Sequence, residues 1–128
     1  MNDREATGTF DVNLNPVGGD APMGRLTIAK TFRGELEGTS SGEMLVFGTN
    51  IESSAGYVAM EHVTGTLAGR KGSFALQHSG TMNRGVPTLS VSVVPDSGTG
   101  ELEGLAGNMT IENAGGQHSY GFKYSFLS

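Results

Sequence analysis

Apolar and polar positions alternate with a period of two along most of this chain. No stretch of a dozen residues places apolar side chains at i, i+3, i+4 and i+7, so helices are not expected. Phe10, Val12 and Leu14 alternate with Thr9, Asp11 and Asn13, and Leu26, Ile28, Lys30 and Phe32 alternate with Thr27, Ala29 and Thr31. Phe74, Leu76 and His78 share one parity, as do Leu89, Val91 and Val93, and Tyr120, Phe122, Tyr124 and Phe126 give the clearest strand of all. Turn clusters punctuate these runs, among them Asn15-Pro16-Val17-Gly18-Gly19-Asp20, Ser53-Ser54-Ala55-Gly56, Asn83-Arg84-Gly85 and Asn113-Ala114-Gly115-Gly116. The pattern predicts eight strands, near 5–14, 24–33, 36–50, 56–70, 73–83, 87–95, 101–112 and 117–127. Short links favour antiparallel neighbours throughout. The predicted fold is all-β, an eight-stranded antiparallel up-and-down barrel whose closure removes exposed edges. A β-sandwich is the competing architecture.

Glycine changes the picture, with 21 in 128 residues against a usual share of about 7%. Gly42, Gly48, Gly65, Gly80 and Gly107 fall inside predicted strands, where they would permit bulges and sharp coiling. The length suits a single barrel domain spanning residues 1–128. The chain also carries a faint internal repeat. Gly34-Glu35-Leu36-Glu37-Gly38 recurs as Gly100-Glu101-Leu102-Glu103-Gly104, and similar offsets align Gly8-Thr9-Phe10 with Gly72-Ser73-Phe74 and Tyr57 with Tyr120. On that mapping Lys30, Glu61 and His78 stand where the other half has Val93, Tyr124 and Leu14.

The strings Gly38-Thr39-Ser40-Ser41-Gly42-Glu43-Met44, Ala55-Gly56-Tyr57-Val58-Ala59, Leu76-Gln77-His78-Ser79-Gly80-Thr81-Met82 and Val94-Pro95-Asp96-Ser97-Gly98-Thr99-Gly100-Glu101-Leu102 resemble a small bacterial family of unknown function. The resemblance runs from about Ala6 to Tyr124. That family is similar in fold to plant allene oxide cyclase, an eight-stranded barrel that binds an unstable fatty-acid epoxide. The resemblance implies an allene oxide cyclase-like barrel. No catalytic motif of the plant enzymes stands in this sequence, so the activity does not follow from the fold.

Charge and residue types exclude several functions. Cysteine is absent, which removes disulfide scaffolds, thiolate metal sites and cysteine nucleophiles. The net charge of −5 and the scattered basic residues argue against nucleic acid as a partner. No apolar run is long enough for a membrane-spanning helix, and the charged start Met1-Asn2-Asp3-Arg4-Glu5 is unlike a signal peptide, so a cytoplasmic location is expected. His62, His78 and His118 lack metal-ligand spacing, and no cofactor motif is present, so neither metal nor cofactor is expected.

What chemistry remains lies on the inward parity. Lys30, Glu61 and His78 point into an otherwise apolar lumen, with Tyr57, Tyr120 and Tyr124 as amphipathic walls. Charges there require a partner or water, and a buried carboxylate beside a histidine can serve as general acid or base. Glu61 and His78 are the candidate catalytic pair; Lys30, Tyr57, Tyr120 and Tyr124 are candidate ligand-binding residues. One reading is a barrel that holds a small, largely apolar molecule, with a cofactor-free isomerase or cyclase as its enzymatic form. The other is a plugged barrel serving as a structural or protein-interaction module. Met44, Val46, Val58 and Met60 are read as an outward apolar row, which predicts a homo-oligomer.

Overall fold

The computed structural model describes residues 4–20 and 22–127; the charged Met1-Asn2-Asp3 lies outside them. Eight strands follow one another around a closed antiparallel barrel: β1 (Arg4–Gly18), β2 (Met23–Gly34), β3 (Leu36–Gly48), β4 (Ala55–Leu67), β5 (Arg70–Asn83), β6 (Val86–Val93), β7 (Leu105–Ala114) and β8 (Gln117–Phe126). The closure excludes the sandwich. β1 meets β8 over Arg4–Phe10, with Arg4 opposite Tyr124 and Phe10 opposite His118.

The two ends of the barrel differ. At one end the lumen is packed solid by Phe32, Phe74, Phe122, Leu36, Leu67, Leu76 and Leu102. The rings of Phe74 and Phe122 stack with centroids 5.9 Å apart. Burying each such side chain stabilises the fold by about 1.5–3 kcal/mol, so this sealed half dominates cohesion. The link between β6 and β7 crosses here. The expected strand start at residue 101 is replaced by a single 3-10 turn, Gly100–Leu102, and β7 begins only at Leu105. Gly100 and Gly104 take positive φ, which bends the chain so that Leu102 drops into the barrel end instead of extending a strand.

At the other end the wall is uneven. β1 pairs with β2 up to Gly18 but with β8 only as far as Phe10, and β6 touches β7 through one ladder pair, Ser92 with Asn108. Inward side chains near this rim, including Leu14 and Leu89, are nearly half exposed because little stands opposite them. This end is a mouth.

Two expectations need correction. Met44 and Val46 do not face outward. The alternation in β3 runs unbroken from buried Leu36 through Ser40, so both share the lumen side, while Glu37, Glu43, Leu45 and Phe47 face out. Bulging is also not what most strand glycines supply, since the described ladders shift register only between Pro16 and Gly18. Gly42 instead permits close strand approach: a Cβ there would sit 2.1 Å from the Met60 carbonyl oxygen and 2.8 Å from the Cα of Glu61.

The internal repeat has a structural counterpart. The Glu35 carboxylate accepts the backbone N–H of Thr7 at 3.1 Å, and the Glu101 carboxylate accepts that of Lys71 at 3.0 Å. Gly34 lies against Thr7 and Gly8 as Gly100 lies against Lys71 and Gly72.

Candidate functional site

The inward positions of β2, β3, β4 and β5 converge on one carboxylate. Glu61 on β4 is 1% exposed, so both of its carboxylate oxygens need donors within the protein. Its Oε1 accepts from Lys30 Nζ at 3.1 Å and from His78 Nε2 at 2.8 Å, and its Oε2 accepts from Ser40 Oγ at 2.5 Å. Burial pushes the Glu61 carboxyl up, but the His78 hydrogen bond, the Lys30 charge and the Ser40 hydroxyl together outweigh it. The group therefore lies below the usual carboxylate range. Among the described residues no side-chain nitrogen or oxygen that is wholly shut off from solvent is left without a partner.

Lys30 meets two aromatic faces as well, with Nζ 4.9 Å from the Phe10 centroid and 5.8 Å from that of Phe32. Glu61 is its one hydrogen-bond partner among the described residues, so the remaining ammonium protons face rings rather than oxygens. His78 likewise uses Nε2 alone, which leaves Nδ1 free of protein partners among the described residues.

Tyr57 stands beside this group, its ring centroid 6.4 Å from that of His78. Gly80 makes the space, because a Cβ there would lie 2.5 Å from the Tyr57 ring. Burial, reinforced by the Glu61 charge, raises the Tyr57 phenol above its ordinary value. Outward from Tyr57 the mouth forms a cavity of about 340 Å³ lined by Met44, Val46, Tyr57, Gly80, Met82 and Leu89, almost wholly apolar.

The sequence-based candidates thus divide. Lys30, Glu61 and His78 come together with Tyr57 beside them; Tyr120 and Tyr124 do not join. The Tyr120 hydroxyl accepts the Leu36 N–H at 2.9 Å and has the Arg33 and Leu36 carbonyl oxygens at 3.0 Å for its own proton, so it ties β8 to the β2–β3 turn. Phe32 lies between it and Lys30, touching both rings and cation. Tyr124 packs between Phe122 and Phe126 near the sealed end. Ser40 was missed. Its signal was the same alternation that corrects Met44, since Leu36, Gly38, Ser40 and Gly42 share a face opposite Glu37 and Glu43.

Residues 6–124 match the family model described as protein of unknown function DUF3224. The chain belongs to the DUF3224 family. It is similar to a protein of unknown function from this family in Shewanella oneidensis, whose crystal structure has 48% sequence identity and a TM-score of 0.95, with 99% of each chain covered. Among curated proteins none matches the sequence. Among the described residues no helix is long and apolar enough to cross a membrane.

Proposed function

We propose that this DUF3224 protein binds a small, largely apolar molecule bearing an oxygen acceptor, in an allene oxide cyclase-like barrel that works in the cytoplasm as a cofactor-free isomerase or cyclase. The observation that carries the reading is Tyr57, which lines the apolar mouth and stands with its ring centroid 6.4 Å from that of His78 in the buried Lys30–Glu61–His78–Ser40 cluster. About 340 Å³ falls within the size range of small-molecule sites, which combine apolar walls with a few fixed polar groups. An oxygen reaching Lys30 would gain a charge-assisted hydrogen bond that the aromatic rings do not supply. Water is the medium the barrel suits, since ion pairs such as Asp11–Arg33 decorate its outside while its lumen is apolar. A lipid-embedded barrel has the opposite polarity.

The same geometry suits proton transfer. Glu61 holds His78 with Nε2–H toward the carboxylate, leaving Nδ1 to take a proton from a carbon next to a carbonyl. The electron pair shifts toward the carbonyl oxygen, which Lys30 stabilises, and the proton returns to a different carbon. The molecule is isomerised with no atom gained or lost. Glu61 acts through His78 and is a positioning residue.

The plugged, structural reading draws on one specific fact: both oxygens of the Glu61 carboxylate already have donors from the protein itself. Titration with the fluorophore anilinonaphthalene sulfonate, alongside native mass spectrometry of the purified protein, separates the two. Binding should be lost in Leu89→Trp, which fills the mouth, and retained in the outer-wall variant Leu45→Glu. Equal binding by wild type and a folded Leu89→Trp protein refutes the lumen site.

A further inference from the structure

The outer faces of β2, β3 and β4 carry a continuous apolar patch. Met23 lies opposite Phe47, and Leu45 opposite Val58, with Met60 the next outward residue on β4. All five are 43–52% exposed. Two shallow grooves cross the patch, one of about 670 Å³ and one of about 360 Å³, and both are walled by Leu45 and Val58. A surface of this kind on a chain of −5 net charge needs an explanation.

We infer that this face joins two copies of the chain in a symmetric dimer. Like-charged molecules associate only where their surfaces are locally neutral or complementary. The patch meets that condition. Its charges are one cation, Arg25, and one anion, Glu43, bridged at 3.4 Å and more than half exposed. Around them stand neutral outward residues such as Thr27, Ser41, Gln77 and Ser79. A twofold axis through the patch sets apolar residues against their own copies and brings each Arg25 toward the other copy's Glu43. A basic partner would instead be drawn to the exposed acidic residues Glu35, Glu37, Glu101 and Glu103.

Sedimentation equilibrium over a micromolar concentration series tests this. Wild type should reach twice the mass of the chain. Val58→Glu should weaken the dimer about a hundredfold or more, because it sets like charges face to face in a buried contact. Arg25→Glu and Glu43→Arg should each be monomeric alone, yet a mixture of the two should form a dimer, because one copy then offers two anions and the other two cations. Restoration by mixing is a property of contact between copies and not of the ion pair within one chain. Circular dichroism and thermal melting establish that each variant is folded. A wild type that stays monomeric overturns the proposal, as does a folded Val58→Glu protein that dimerises normally. Failure of the mixture to associate removes the twofold arrangement.

Discussion

At the scale of the residue, Glu61 governs the interior, and its removal exposes what it does. Glu61→Gln keeps the shape but strands the Lys30 ammonium among Phe10 and Phe32, so the variant should lose about 3–5 kcal/mol of stability in urea unfolding. Lys30→Met combined with Glu61→Gln removes both charges and should recover at least about 1 kcal/mol of that loss; strict additivity would show that the pair is not coupled. The same carboxylate sets an acid limit. Its pKa in the folded protein is depressed, so its contribution is complete above the unfolded value of about 4.5 and fades as pH falls through the lower, folded value. Acid melts of wild type should therefore steepen below pH ~4.5 relative to the double variant, and parallel curves would contradict the assignment. The convergence of Lys30, Glu61 and His78 was legible because parity alone fixes which face of a strand a side chain takes. Tyr120 and Tyr124 have that same parity, yet height along the barrel sends them to other tasks, and height depends on registers that alternation does not encode.

At the scale of the element, strand number, order and direction followed from turn chemistry and period, whereas the unevenness of the walls did not. β4 is flanked along its whole length by β3 and β5, from Ala55 to Leu67. β6 pairs fully with β5 but meets β7 only at Ser92. The reason lies in the preceding link: Thr99 donates to the Ser73 carbonyl and Val94 to that of Ala75, so this segment is held against β5 before β7 begins. Amide exchange should register the difference. Every backbone N–H of β4 should be protected, while β6 should alternate between slow amides facing β5 and fast ones facing the seam. Uniform protection across β6 would mean that the seam zips closed in solution. Where the functional cluster sits follows the same division, since Lys30, Ser40, Glu61 and His78 come from β2 to β5, the fully laddered side.

At the scale of the whole molecule, the two halves of the chain share matching anchor points on unequal chemistry. Glu35 and Glu101 make matching bonds, Leu36 and Leu102 are both fully buried, and Phe10 and Phe74 both enter the sealed core. The polar cluster breaks this likeness: Lys30, Glu61 and His78 have Val93, Tyr124 and Leu14 as their counterparts, all of inward parity. In this equivalence the β4–β5 turn corresponds to the meeting of β8 with β1, which the chain bridges by ladder pairing without a covalent link. Opening the chain between Ala68 and Gly69, and joining its two ends by a short glycine-serine linker, should therefore leave the barrel intact. Both residues are exposed with positive φ, so the cut also relieves Ala68 of a strained conformation. The permutant should melt within about 10 °C of wild type, a shift equivalent to about 2–3 kcal/mol. A cut at Glu35 is the contrasting case. Glu35 donates its N–H to the Thr7 carbonyl, accepts from Ala68 N–H and caps Thr7 with its carboxylate, and the adjacent Leu36 is bound by Tyr120. That permutant should lose far more stability. If both permutants melt alike, the turns are interchangeable and the half-barrel equivalence carries no mechanical meaning.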